Sequence, residues 1–123
     1  MKLNKNILGS VILLILDFLW LGLFMGKQYR GLILNIQKSE MKLNYISAGL
    51  AYLMMIIGLN NFVFKYNMSN IDAFLFGMCL YGVYDFTCGA IFNNWDFKLA
   101  IIDILWGGFV YFLTNMIVKY INK

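Results

Sequence analysis

Residues 7–26 read ILGSVILLILDFLWLGLFMG. This run holds one charge, Asp17, among thirteen Leu, Ile, Val and Phe residues. A helix of this length crosses ~30 Å of hydrocarbon at 1.5 Å per residue. Lys2 and Lys5 precede it and Lys27 follows, as basic residues flank a span. A cleaved secretory signal would share the basic start. This run is too long for one, contains Asp17 and lacks an Ala-x-Ala site, so an uncleaved helix is expected.

Three more runs follow the same pattern. They are 45–64 between Lys42 and Lys65, 71–92 with Asp72 in its first turn, and 99–118 between Lys98 and Lys119. An anion in a first turn suits the helix dipole. The apolar stretches are continuous rather than alternating, and too few to close a barrel, so strands are disfavoured. Composition agrees. The 123 residues are 62% hydrophobic and 13% charged, against roughly 25% charged in a soluble domain. A small soluble fold cannot hide that much apolar surface. The reading is a single-domain, all-α, multi-pass membrane bundle of four helices.

The first link is longer than the others. Tyr29, Leu32, Ile33 and Ile36 recur there at helical spacing, with Lys27, Gln28, Arg30, Asn35 and Gln37 elsewhere. That pattern predicts an amphipathic interfacial helix. The short later links predict antiparallel neighbours. Lys2, Lys5, Lys65, Lys119 and Lys123 fall on the side of the termini; Lys27, Arg30, Lys38, Lys42 and Lys98 fall on the other. The charge rule therefore ties. A tie permits both orientations and an antiparallel homodimer.

Charge also limits function. The net charge of +4 comes from scattered residues, with no cluster to track phosphates, so nucleic acid is not a partner. There is no His, which removes the usual general base and metal ligand. Cys79 and Cys88 lie ~13 Å apart along one helix, too far to bridge each other. No zinc site, serine-type triad or phosphate loop can be assembled. A hard divalent cation on carboxylates is chemically open, but no metal or cofactor is assigned.

Three acids stand out. "LDFLWLGLF" (16–24) and "IDILWGGFV" (102–110) both read Asp, two residues, Trp, one residue, Gly; "YGVYDFTCG" (81–89) holds Asp85. A mid-helix Asp costs about 2.5–3.5 kcal/mol on the insertion scale. Counted from the side carrying the first and third links, Asp17 lies ~13 Å deep, Asp85 ~10 Å and Asp103 ~6 Å. All three fall in one half of the bundle, which predicts a shared polar chamber opening toward that side. Trp20 and Trp106 lie one turn from their acids. Tyr81, Gly82, Cys88 and Gly89 neighbour Asp85, and Tyr45, Ala48, Gly49 and Tyr52 form a face of the second span. Small residues allow close helix approach, and Tyr and Trp can donate to the acids. Trp95, in the third link, reads as an interface-belt residue.

The structural alternative is interhelical glue, each acid bonded to a Trp or Tyr donor. Three acids at one level, with no basic residue in the spans, favour a ligand site. Its residues would be Asp17, Trp20, Tyr84, Asp85, Asp103 and Trp106. Protons, a cation, or a small cationic or polar solute would suit it, and aromatic walls would suit an organic cation. A small transporter or binder is the leading reading. Four helices are few for a pathway, so a homodimer is expected. An enzyme acting on a lipid or isoprenoid through an Asp pair is the second reading, and an assembly subunit the third.

"DFLWLG" (17–22), "YDFT" (84–87), Trp95 and "DILWGG" (103–108) occur in an order that resembles the small bacterial membrane proteins of the family called domain of unknown function 2177. The resemblance covers nearly the whole chain and implies a four-helix membrane protein, without implying an activity. The matching positions are Asp17, Trp20, Gly22, Tyr84, Asp85, Thr87, Trp95, Asp103 and Trp106. Cys88 stands where the family usually has Asn, and Asp96 where it usually has Pro.

Overall fold

A computed structural model describes residues 4–38 and 45–122. Lys2, Lys42 and Lys123, used in the charge count, lie outside the described residues. Five α-helices follow one another: α1 (Lys5–Trp20), α2 (Gly26–Gln37), α3 (Tyr45–Gly58), α4 (Asn70–Ile91) and α5 (Phe97–Ile121). Two π-helical turns, Leu21–Met25 and Leu59–Phe64, join α1 to α2 and extend α3. Among the described residues four helical stretches are long and apolar enough to cross a membrane: Lys5–Gln37, Tyr45–Phe64, Asn70–Ile91 and Phe97–Ile121. The chain is an all-α, multi-pass membrane protein.

Side-chain caps set the helix starts. Asn4 accepts from the Asn6 and Ile7 amides, Ser69 from Asp72, and Asp96 from Lys98 and Leu99. These bonds satisfy amides that have no partner within the helix. Asp96 is thus the cap that starts α5.

The first span does not stop at Gly26. It continues through the wide turn into α2, with the Gly26 amide bonded to the Leu21 carbonyl. A Cβ on Gly26 would run into that carbonyl, so glycine permits the turn. The combined helix is ~50 Å long, more than one bilayer core. The amphipathic helix forms at the expected residues, but protein rather than lipid takes its apolar stripe. Tyr29, Ile33 and Ile36 pack on a buried cluster of Leu32, Cys88, Trp95 and Ala100. Trp95, expected in the interface belt, is buried between Tyr29 and Phe92.

At the other end a larger core joins Leu13, Leu59, Val63, Phe64, Val110, Tyr111 and Val118. Tyr111 also donates to the Met55 carbonyl at 2.7 Å, tying α5 to α3. The tightest crossing is α4 on α5. A Cβ on Gly77 would strike the backbone of Gly107, and one on Gly108 would meet Met78 Cγ at 2.7 Å. Lipid tails are as apolar as Leu, so close packing of this kind holds membrane helices together. The exposed Ile7, Leu23, Val83 and Ile91 face acyl chains in a bilayer. The two apolar layers leave a polar layer between them.

Candidate functional site

The three acids occupy that middle layer, and all are buried: Asp85 is 0% exposed, Asp17 5% and Asp103 6%. Asp17, on α1, is the hub. It accepts from Tyr52 on α3 at 2.8 Å, Tyr81 on α4 at 2.7 Å and Trp106 on α5 at 3.2 Å. One carboxyl therefore binds all three other spans. Asp103 accepts from Trp20 at 3.3 Å, and Asp85 from Tyr29 at 2.9 Å.

The repeated motif is reciprocal. The Trp of each copy donates to the Asp of the other, and the two indoles stack at 4.7 Å with 6° between planes. Helical geometry explains the exchange. In each motif Trp follows Asp by three residues, or ~4.5 Å of rise. α1 and α5 run antiparallel, so equal spacing sets Asp17 level with Trp106 and Trp20 level with Asp103.

Asp85 and Asp103 form a separate unit. The two are neighbours that act on each other electrostatically, and the Tyr29 hydroxyl that donates to Asp85 also acts on Asp103. Asp85 Oδ2 is buried and receives no donor. Every donor described on the three acids is neutral, two indoles and three phenols. No group of three acidic, His or Cys side chains among the described residues could hold a metal ion. The acids are thus a neighbouring pair, Asp85 and Asp103, and a separately bonded third, Asp17.

A cavity of about 610 Å³ abuts this layer. Asp17, Trp20, Tyr84 and Asp103 line it; Asp85 and Trp106 stand behind its wall. Asp85 does not line the cavity; it accepts from the hydroxyl of Tyr29, which does. α2 covers the far ends of α4 and α5, and the opposite wall is α3, through Ser47, Ala48, Ala51, Tyr52 and Met55. The face of α3 is also rotated from the expected one: Tyr45 is 80% exposed and a Cβ on Gly49 would meet nothing within 4 Å.

Tyr29, Tyr52 and Tyr81 complete the site and were absent from the expected ligand set. Tyr81 precedes Asp85 by one turn, yet its hydroxyl crosses to Asp17. Tyr29 reads as apolar-stripe packing, and only the wide turn at Leu21–Met25 swings it over the acids. Cys88 packs beside Leu32 and Trp95.

The model of the family described as "Predicted membrane protein (DUF2177)" matches residues 5–119. No curated protein and no solved structure matches. The match spans both Asp-x-x-Trp-x-Gly motifs, Asp85 and all four spans, and the chain belongs to the DUF2177 family of predicted membrane proteins.

Proposed function

We propose that the protein binds a small organic cation in exchange for a proton, and carries it across the membrane. The observation that supports this most is the Asp85–Asp103 pair: two buried, neighbouring carboxyls, one buried oxygen with no donor, and no basic residue among their described partners. Two carboxyls at such range need a proton or a cation between them. A proton shared by the pair supplies the missing donor. A cation in the adjoining cavity replaces it, because Asp103 reaches the cavity and Asp85 holds the pair from behind. Trp20, Tyr84, Tyr52 and Tyr81 give that cavity an aromatic wall suited to an organic cation. Asp17, supplied by three donors, anchors the four helices.

The test is equilibrium binding of tetraphenylphosphonium to purified protein in detergent, read by tryptophan fluorescence. Asp103→Asn weakens binding by roughly 10-fold or more, as loss of a desolvated charge partner does, while the fold is kept. Asp72→Asn, in the first turn of α4, binds as wild type. Equal affinity in Asp103→Asn and wild type leaves the acids as glue. A lipid profile changed by expression, and restored by Asp103→Asn, would move the reading to a lipid-modifying enzyme.

A further inference from the structure

A second polar pocket lies at the opposite end of the bundle, on the side of the chain termini. Its volume is about 360 Å³, and Lys5, Asn67, Asn115, Lys119 and Asn122 line it over an apolar floor of Phe64 and Val118. Lys5 opens α1, Lys119 lies in the last turn of α5, and Asn67 sits in the link between α3 and α4. Three parts of the chain thus converge where the helices leave the hydrocarbon.

The lysines are held there. Lys5 Nζ donates to the Phe64 carbonyl at 3.3 Å, and Lys119 Nζ to the Met68 carbonyl at 2.8 Å. Those carbonyls lie at either end of the same short link, and both lysines line the pocket. Asn115, 1% exposed, fixes the link from beneath, donating to the Met68 carbonyl and Asn70 Oδ1 at 3.1 and 3.0 Å. Each ammonium has three N–H groups, and each described bond uses one. Capping the carbonyls therefore leaves donors over on both lysines, and among the described residues no carboxylate lines the pocket.

We propose that this pocket binds a phosphate group, held between Lys5 and Lys119 and contacted by the amide groups of Asn67 and Asn122. The two ammoniums, without a carboxylate partner among the described residues, supply the charge, and the asparagines supply donors a phosphate oxygen can use. The position at the end of the spans matches the depth of a phospholipid headgroup, whose acyl chains would run along the exposed apolar helix faces. A water-soluble phosphate would have the same chemistry from the aqueous side.

The test is native mass spectrometry and ³¹P NMR on the full chain in detergent, with phosphatidylglycerol, phosphatidylcholine or inorganic phosphate as probe. One phosphatidylglycerol binds per chain and phosphatidylcholine binds more weakly. Each lysine removed weakens binding about fivefold, as expected for a basic residue near an anionic headgroup. Lys5→Gln with Lys119→Gln therefore costs roughly 25-fold, and Lys65→Gln, a neighbouring lysine outside the pocket, costs less than about twofold. Lys5→Arg with Lys119→Arg keeps binding and serves if the glutamine variant fails to fold. If inorganic phosphate binds alone and displaces the lipid, the soluble source is right; if it does neither, the lipid headgroup is. Binding of phosphatidylglycerol that is unchanged in the double glutamine variant, or absent in wild type together with inorganic phosphate, overturns the site.

Discussion

Asp17 accepts from three side chains on three other spans, so removing its carboxyl leaves three donors in an apolar interior. An unsatisfied buried polar group costs about 1–3 kcal/mol. Asp17→Leu is therefore expected to unfold the protein or lower its thermal midpoint in detergent sharply, whereas Asp85→Asn and Asp103→Asn, each with one described Tyr or Trp donor, are expected to fold. A smaller loss in Asp17→Leu than in Asp103→Asn would contradict the hub role. The exchanged motifs give a second residue-level expectation. Double-mutant cycles should couple Asp17→Ala with Trp106→Phe, and Trp20→Phe with Asp103→Ala, by about 0.6–1.7 kcal/mol, the range for interhelical bonds in membranes. The within-helix combination of Asp17→Ala with Trp20→Phe should be near additive, since those two residues share no described bond. The three acids and two tryptophans of this layer were legible from spacing alone. Which Trp serves which Asp was also implicit, because equal spacing on antiparallel helices forces the exchange. The tyrosines were less legible: their partners depend on how each helix is rotated.

Helix rotation was hard to read for a physical reason. A soluble helix shows its buried face by polarity, but in a bilayer both the lipid side and the packed side are apolar. The span limits, by contrast, follow from the total run of apolar residues; the helical stretches long and apolar enough to cross after the first are Tyr45–Phe64, Asn70–Ile91 and Phe97–Ile121. Two features of α1 and α3 went unread. The wide turns at Leu21–Met25 and Leu59–Phe64 leave no apolar signature, although Gly26 is the residue that the first one needs. Glycines likewise differ by environment rather than by motif position. Gly22 and Gly108 end the two copies of the same motif, yet a Cβ on Gly22 would meet nothing within 4 Å, while one on Gly108 would press on Met78 and Phe74. Gly77 is the most restricted against α5, because the obstacle is backbone. Gly77→Ala should therefore cost more than the roughly 1–3 kcal/mol typical of overpacking, read as a lower thermal midpoint. Gly22→Ala should be unchanged or slightly stabilised, in keeping with the helix propensity of Ala. Equal effects of the two substitutions would contradict the α4–α5 contact.

As a whole, the molecule is layered along the membrane normal: an apolar core toward the chain ends, a belt of acids and aromatics, and an apolar cap formed by α2. Four spans place both termini on one side. Single cysteines at Lys65 and Lys119, in a background with Cys79 and Cys88 replaced, should label together; those at Lys27 and Lys98 should label together from the opposite face. The tied charge count adds that both sets label from both faces if the chain inserts in two orientations. The belt separates roles within one polar layer. Asp17 takes three donors and joins the helices, while Asp103 lines the cavity beside Asp85, whose Oδ2 lacks a donor. The proposed exchange of a proton for a cation would take place at that pair. The direct measurement is proton release, followed in lightly buffered detergent solution, when tetraphenylphosphonium binds. Wild type should release a proton as the cation enters, and folded Asp103→Asn should release none. No release from wild type on binding, or the same release from Asp103→Asn, would contradict the exchange.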